Sequence, residues 1–157
     1  MNPGSRLIGY FRVSKRDDLY TCEDPQKLES FCTKKGASIV STESEVSAGN
    51  QIVRVGLWKA LRKMLCSQCE PRQMPMLNQY EDWMRELNKS CSCKSAKPCD
   101  GIVVTDMRAV TTDMAQGARF TLDLCAAGKH LVSLAEEKCL SCCNPQAVAF
   151  LRKSILP

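Results

Sequence analysis

Leu7-Ile8-Gly9-Tyr10-Phe11-Arg12-Val13 is an apolar and aromatic run of strand length, and the polar residues that follow, Ser14 to Cys22, read as a loop. Downstream, Asp24-Pro25 supplies a helix N-cap and a proline at the first helical position. Leu28, Phe31 and Cys32 then recur at helical spacing, and Gly36 closes the helix. The pattern predicts a second strand over 37–42, a polar loop over 43–54, and an amphipathic helix carrying Leu57, Ala60, Leu61, Met64 and Leu65. Gly101 to Thr105 (GIVVT) reads as a short buried strand. Thr112 and Asp113 start a helix through Ala127 that Gly128 ends, His130 to Ala135 is a strand, and Asn144-Pro145 opens a last helix carrying Val148, Phe150, Leu151 and Ile155. Strands alternating with helices predict an α/β fold of three layers, a mainly parallel sheet flanked by helices. The working crevice of such a sheet lies beyond the carboxyl ends of its strands, which gathers Ser14, the loop from Glu43, and the segment Asp106 to Thr112.

The alternation breaks at Cys66, where CSQCEPRQMP brings two cysteines and two prolines without sustained periodicity. Residues 66–99 therefore read as a cysteine-rich insertion within a single domain spanning 1–157. Inside it Leu77, Tyr80, Trp83, Met84 and Leu87 lie at helical spacing and predict a short helix packed on the main body. Cys66 and Cys69 form a C-x-x-C, Cys91 and Cys93 a C-x-C, and Cys99 follows. Thiolates so spaced converge on one tetrahedral zinc, and a metal stabilises a small segment that has little core of its own. These five cysteines are thus the expected source of a structural zinc site, with Cys99 either a ligand or a spare. A redox C-x-x-C would open a helix, whereas this one follows the end of one. Cys139, Cys142 and Cys143 form a second cluster that needs a further ligand, such as a thiol of the first cluster or His130, the only histidine. Cys32 and Cys125 fall on helix core faces, where cysteine acts as a small hydrophobe.

At 157 residues, 44% hydrophobic and 25% charged, with a net charge of +5, the chain has the size and apolar content of one globular domain rather than of a disordered chain. No apolar run reaches membrane-spanning length, and residues 1–16 lack the apolar core of a signal peptide, so no membrane partner is expected and the chain is expected to be intracellular. Eleven cysteines, an odd number, in a reducing compartment point to metal rather than to a full set of disulfides. The positive charge is concentrated early: residues 1–65 carry 11 basic and 7 acidic side chains, residues 66–99 carry 5 and 4, and residues 100–157 carry 6 and 6. That asymmetry suits an anionic partner, and an ordinary solvated surface accounts for it equally well.

Taken together, these segments resemble the catalytic domain of the serine recombinases, the resolvases and invertases. Tyr10-Phe11-Arg12-Val13-Ser14 is similar to the family's Y-x-R-V-S strand end, and Gln26, Leu28 and Phe31 to its Q-x-x-L-x-x-F helix. Arg54-Val55-Gly56-Leu57 resembles its R-x-G-L, and Lys63 falls where a basic residue often joins the active site. GIVVTDMRAVTTD and LCAAGKHLVSLAEE resemble its V-x-x-L-D-R-L-x-R-D segment and the G-V-x-L-V-S-L strand beyond. The resemblance covers residues 7–64 and 100–137 in family order. It implies a resolvase-like fold and site-specific cleavage and rejoining of DNA through a phosphoserine link. Ser14 would be the nucleophile, Arg12 and Arg54 the phosphate clamp, Lys63 and Arg108 further positive charge, and Tyr10 and Gln26 positioning groups. An ungapped alignment ending at Asp113 puts Arg108, Ala109 and Thr112 where the family has Asp, Arg and Arg, so two arginine positions are lost. After Glu137 about twenty residues remain where the family continues into a long dimerisation helix and usually a DNA-binding domain. A homo-oligomer or a partner chain would then supply DNA recognition. The alternative expectation is a catalytically degenerate recombinase-like module that binds DNA, or a zinc-stabilised interaction module.

Overall fold

The computed structural model describes residues 1–48, 50–68, 74, 79–89 and 97–140. β1 (Arg6–Val13) leads through a helical turn, α1 (Asp18–Thr21), to α2 (Asp24–Lys34), β2 (Ser38–Val46) and α3 (Val55–Leu65). There follow α4 (Tyr80–Leu87), β3 (Gly101–Val104), a one-turn α5 (Met107–Val110), α6 (Met114–Ala126), β4 (His130–Ser133) and β5 (Lys138–Cys139). One sheet holds the strands in the order β2-β1-β3-β4-β5. The first four run parallel and β5 is antiparallel to β4, so the fold is the expected α/β arrangement.

Alternation along β1 sorts the core into two halves. Ile8 and Tyr10 join Ile102, Val104 and Leu131 under Leu57, Leu61 and Met64 of α3, Ala109 and Val110 of α5, and Phe120 and Leu124 of α6. On the other face Leu7, Phe11 and Val13 join Val103 and Val132 under Leu28, Phe31 and Cys32 of α2. Gly36 and Gly128, just past α2 and α6, have φ of +72° and +70°, a left-handed turn that glycine adopts without a Cβ clash.

Several boundaries differ from the sequence expectation. β2 runs on to Val46, pairing Glu43 to Val46 with Tyr10 to Val13, where a polar loop was expected from residue 43. Its polar residues sit in a strand because they alternate. Glu43 and Glu45 are half-buried and reach partners on α3, while Ser44 and Val46 are exposed. α2 starts one residue earlier than expected, so Asp24 and Pro25 are its first two residues and Glu23 takes the N-cap position. β4 ends at Ser133, and the short elements α1, α5 and β5 were not foreseen. Asp113 does cap α6, its carboxylate accepting from Gln116 N at 2.9 Å. Leu77 and the helix expected from Pro145 lie outside the described residues.

α4 is part of the main core. Trp83 is fully buried, its ring centroid 5.7 Å from that of Trp58, and its indole N–H points to Met74 Sδ at 3.3 Å. Tyr80 donates to Asp123 on α6 at 2.6 Å. Arg62, buried on α3, donates to Leu87 O at 2.8 Å and Lys89 O at 3.2 Å, closing the carboxyl end of α4 with a charge that suits its dipole. Trp83→Ala should therefore cost about 3–5 kcal/mol of stability. Thermal denaturation would read this as a drop on the order of 10 °C. Trp83→Phe, which keeps a ring in the site but leaves Met74 Sδ without the indole donor, should recover part of that loss.

Candidate active site at the carboxyl ends of the strands

β1 outruns β3, since Tyr10 pairs with Val104 at the end of β3 while Val13 still pairs with Val46 of β2. Arg12 consequently stands over a crevice walled by the loop after β2 and by α5. Its Nη1 donates to Ser47 O and its Nη2 to Arg108 O at 3.1 Å. Arg54, the residue before α3, is 7% exposed and enters the same crevice from the other side. Its Nη2 donates to Ala109 O at 2.7 Å and to Val110 O, its Nη1 lies 3.5 Å from Ser47 Oγ, and its guanidinium sits 5.8 Å above the Tyr10 ring.

Glu45 ties these groups together. It accepts from the Tyr10 hydroxyl, from Gly56 N at 2.9 Å and from Leu57 N at 3.1 Å, and stands 3.5 Å from Arg54 Nε. A carboxylate on the opening amides of α3 meets the positive end of the helix dipole. Gly56 permits the approach, since a Cβ there would come within 2.7 Å of the Glu45 side chain. Burial, reinforced by the charge of Glu45, pushes the Tyr10 hydroxyl far above its ordinary range, so Tyr10 stays a neutral donor. Burial also works to lower Arg54, opposed by Tyr10 and Glu45, and a guanidinium remains charged under such a shift. The Nε atoms of Arg12 and Arg54 are buried without a hydrogen bond among the described residues.

Lys63 pairs with Glu43, two residues before Glu45 on β2. Arg108 is exposed and pairs with Asp106 at 3.0 Å, while the Asp106 carboxylate also caps α5 by accepting from Arg108 N at 2.7 Å. Ser14 follows β1 directly and is exposed; its neighbour Val13 accepts through O from Ser47 N at 3.0 Å. Gln26 is exposed near the start of α2, on the opposite face of the sheet from Arg54. There it lines a cleft of about 500 Å³ with Phe31, Lys34, Leu134 and Glu137. The structure thus gathers Tyr10, Arg12, Arg54 and the backbone of Arg108 into one network. Ser14 follows the end of β1, the side chains of Lys63 and Arg108 each pair with a carboxylate, and Gln26 lies in a separate cleft.

Glu45, Ser47 and Arg62 were not singled out from the sequence. No apolar alternation marked Glu45, since the inward positions of β2 are Ile39, Ser41, Glu43 and Glu45 while Val40 and Val46 face outward, and the polar composition read as loop.

Burial acts to raise the Asp106 carboxyl, but the hydrogen bonds and charge of Arg108 outweigh it and hold the group below the usual range. A carboxyl depressed in the folded state adds stability above its ordinary pKa, and that stability is lost as pH falls through the folded one. Asp106→Asn keeps a capping side chain and loses the charge. It should cost at most about 1 kcal/mol at neutral pH, because the pair is solvent-screened. The gap to wild type should close as denaturation is repeated below about pH 4.

Among the cysteines, Cys66 and Cys99 are buried, whereas Cys69, Cys91 and Cys93 lie outside the described residues. Among the described residues no three or more His, Cys, Asp or Glu side chains are placed to hold a metal. Cys139 is disulfide-bonded, which removes it from the second ligand set, and its Sγ lies 3.5 Å from His130 Nδ1. Burial pushes the Cys32 thiol up to about 11, as befits a core residue.

No family model matches this sequence, and no curated protein matches it either. Solved structures match its fold. The N-terminal catalytic domain of TP901-1 integrase superposes with a TM-score of 0.60 at 14% identity, over 95% of this chain and 90% of that one. The C-terminal catalytic domain of ISC1926 TnpA, an IS607-like serine recombinase, superposes with a TM-score of 0.54 at 18% identity, over 82% of this chain and 67% of that one. With a parallel sheet in this order and these structural neighbours, the chain has the fold of a serine recombinase catalytic domain.

Proposed function

We propose that this protein acts on DNA as a serine recombinase-like phosphoryl transferase, with Ser14 as nucleophile and the Arg12–Arg54 crevice as the phosphate site. The observation that supports this most is the convergence of two guanidiniums at the carboxyl end of β1, immediately before an exposed serine. Attack on a phosphodiester forms an Oγ–P bond and breaks the P–O bond to one deoxyribose, the serine proton ending on the departing sugar oxygen. Rejoining is the same exchange in reverse. Charge builds on the non-bridging oxygens during each exchange, and arginine forks match that geometry with paired donors. Lys63 and Arg108 would supply further positive charge on release from their partners Glu43 and Asp106. DNA is the partner, and a second copy or another chain supplies site recognition within the cell.

One observation favours a second reading, binding without cutting. Both guanidiniums are engaged by backbone carbonyls, Arg12 by those of Ser47 and Arg108 and Arg54 by those of Ala109 and Val110, which occupies part of the donor set a phosphate would use. Ala109 and Thr112, where the family has arginine, contribute no charge. Incubation with nicked duplex DNA followed by denaturing electrophoresis separates the two readings. A covalent protein–DNA band supports transfer chemistry. Saturable, salt-dependent binding without a band supports the non-cutting module.

A further inference from the structure

We infer that Tyr20, on the helical turn that follows Ser14, is a stacking surface for an unpaired nucleobase beside the Arg12–Arg54 crevice, an inference that rests on reading that crevice as a DNA phosphate site. Tyr20 is 83% exposed, whereas its neighbour Leu19 packs against the half of the core under α2. α1 is thus anchored through one side chain and leaves the next in solvent. Its backbone holds it in place. Asp18 N donates to Lys15 O at 3.2 Å, Leu19 N to Arg16 O at 3.1 Å and Cys22 N to Asp18 O at 2.9 Å, and Asp24 N donates to Cys22 Sγ at 3.3 Å, fastening α1 to the start of α2. The ring is therefore set out before any ligand arrives, and tyrosine offers a large contact area for only two side-chain torsions.

The place of this turn says what it meets. Five residues separate Ser14 from Tyr20, and Val46, paired with Val13 at the root of the turn, is itself 43% exposed. Lys15 and Arg16 follow the serine directly, both exposed, and no ion pair among the described residues takes up their charge. Asp17 and Asp18 come next and open α1, so the run is neutral in sum, with its cations nearest the nucleophile in sequence. Cations that follow a phosphate backbone beside an aromatic face are the chemistry that binds single-stranded nucleic acid, since every base has a π-face and stacking asks for no particular sequence. At a strand break the flanking bases unstack at least cost, and a base that swings out there finds the exposed ring.

Fluorescence anisotropy tests this with the full chain carrying Ser14→Ala, so that no adduct forms, and two labelled DNAs of equal length, one an intact duplex and the other containing a short gap of unpaired nucleotides. The expected result is tighter binding to the gapped DNA. Adding Tyr20→Ala should lower that affinity about five- to a hundredfold and leave affinity for the intact duplex unchanged. Tyr20→Phe should keep the preference, because stacking does not need the hydroxyl. Tyr20→Trp adds an exposed indole to the buried Trp58 and Trp83, and its emission should be quenched by the gapped DNA but not by one whose gap is abasic. Equal affinity for gapped DNA with and without Tyr20→Ala overturns the proposal, and that is the result a protein partner on this turn would give. A chain that binds neither DNA overturns it too. The recombinase-like reading is judged separately, by the adduct of the wild-type chain with nicked duplex: an adduct alongside equal affinities removes only the stacking role, and a Tyr20-dependent preference without an adduct upholds that role and removes only the cutting.

Discussion

A Ser14→Ala chain will leave no denaturant-resistant protein–DNA adduct under conditions where the wild-type chain leaves one, and it will bind the same DNA with the same affinity and salt dependence. The first half follows from chemistry, because the adduct is the Oγ–P bond and alanine has no atom to form it. The second half follows from structure. Ser14 is exposed beyond the end of β1, so its removal should change stability by no more than about 0.5 kcal/mol. Arg12, Arg54, Lys63 and Arg108, the groups assigned to the phosphate, remain in place. An adduct that persists in Ser14→Ala would assign the chemistry to another nucleophile and sink the proposed role. Arg12→Ala complements this test. If Arg12 grips the phosphate in the transition state, its loss should slow adduct formation by about a hundred- to a thousandfold, the cost of removing one well-aimed electrostatic donor.

Arg54 should show its largest effect on folding. Arg54→Met removes a buried charge that serves Glu45, two α5 carbonyls and the face of Tyr10 at once. It leaves the Glu45 carboxylate half-buried without its guanidinium partner and Ala109 O and Val110 O without theirs. Breaking a buried pair from one side costs about 3–5 kcal/mol, which in a chain of this size lowers the thermal midpoint by on the order of 10 °C. Arg54→Lys should recover only part, since an ammonium keeps the charge but cannot reach the carbonyls and the carboxylate with one planar fork. Removing both partners is the sharper test. Arg54→Met combined with Glu45→Leu should be more stable than Arg54→Met alone, because no charge is then stranded. Denaturant titrations followed by circular dichroism decide the order of the three.

The elements located from the sequence, β1, the first half of β2, α2, α3, α4, β3, α6 and β4, are mostly those with an apolar signature: a stripe on one side of a helix, or in β1, β3 and β4 an apolar run buried on both faces of the sheet. Leu57, Leu61 and Met64 repeat at helical spacing because only one side of α3 meets the sheet. The elements missed carry no such signature. α5 is a single turn set by the Asp106 cap, and β5 is two residues whose pairing with β4 depends on a chain reversal. In the crevice, Arg12, Arg54 and Tyr10 could be named from the resemblance, but their engagement could not. The carbonyls that hold both guanidiniums are backbone atoms, present at every residue and therefore invisible to any reading of side-chain types. Glu45 and Arg62 escaped for a related reason: a charge in a polar stretch or on a helix looks solvated until the element packed against it is known.

The two ends of the stretch from α3 to β3 meet, Ser67 Oγ donating to Lys97 O and Cys99 N to Met64 O, both at 2.8 Å, and this bears on how the chain can assemble. Arg6 of β1 meets Asp100 across a separation of 94 residues, one of the long closures the sheet demands. Shortening the stretch from α3 to β3 to a tight turn would reduce that closure to roughly 60 residues and return only about 0.4 kcal/mol of chain entropy, because the cost grows with the logarithm of loop length. The excursion is therefore thermodynamically cheap to carry. With Trp83 and Leu87 buried in the common core, it is expensive to lose. A segment that costs little to keep and much to delete behaves as a ratchet: once its helix has taken over part of the core, shorter chains become less stable rather than more.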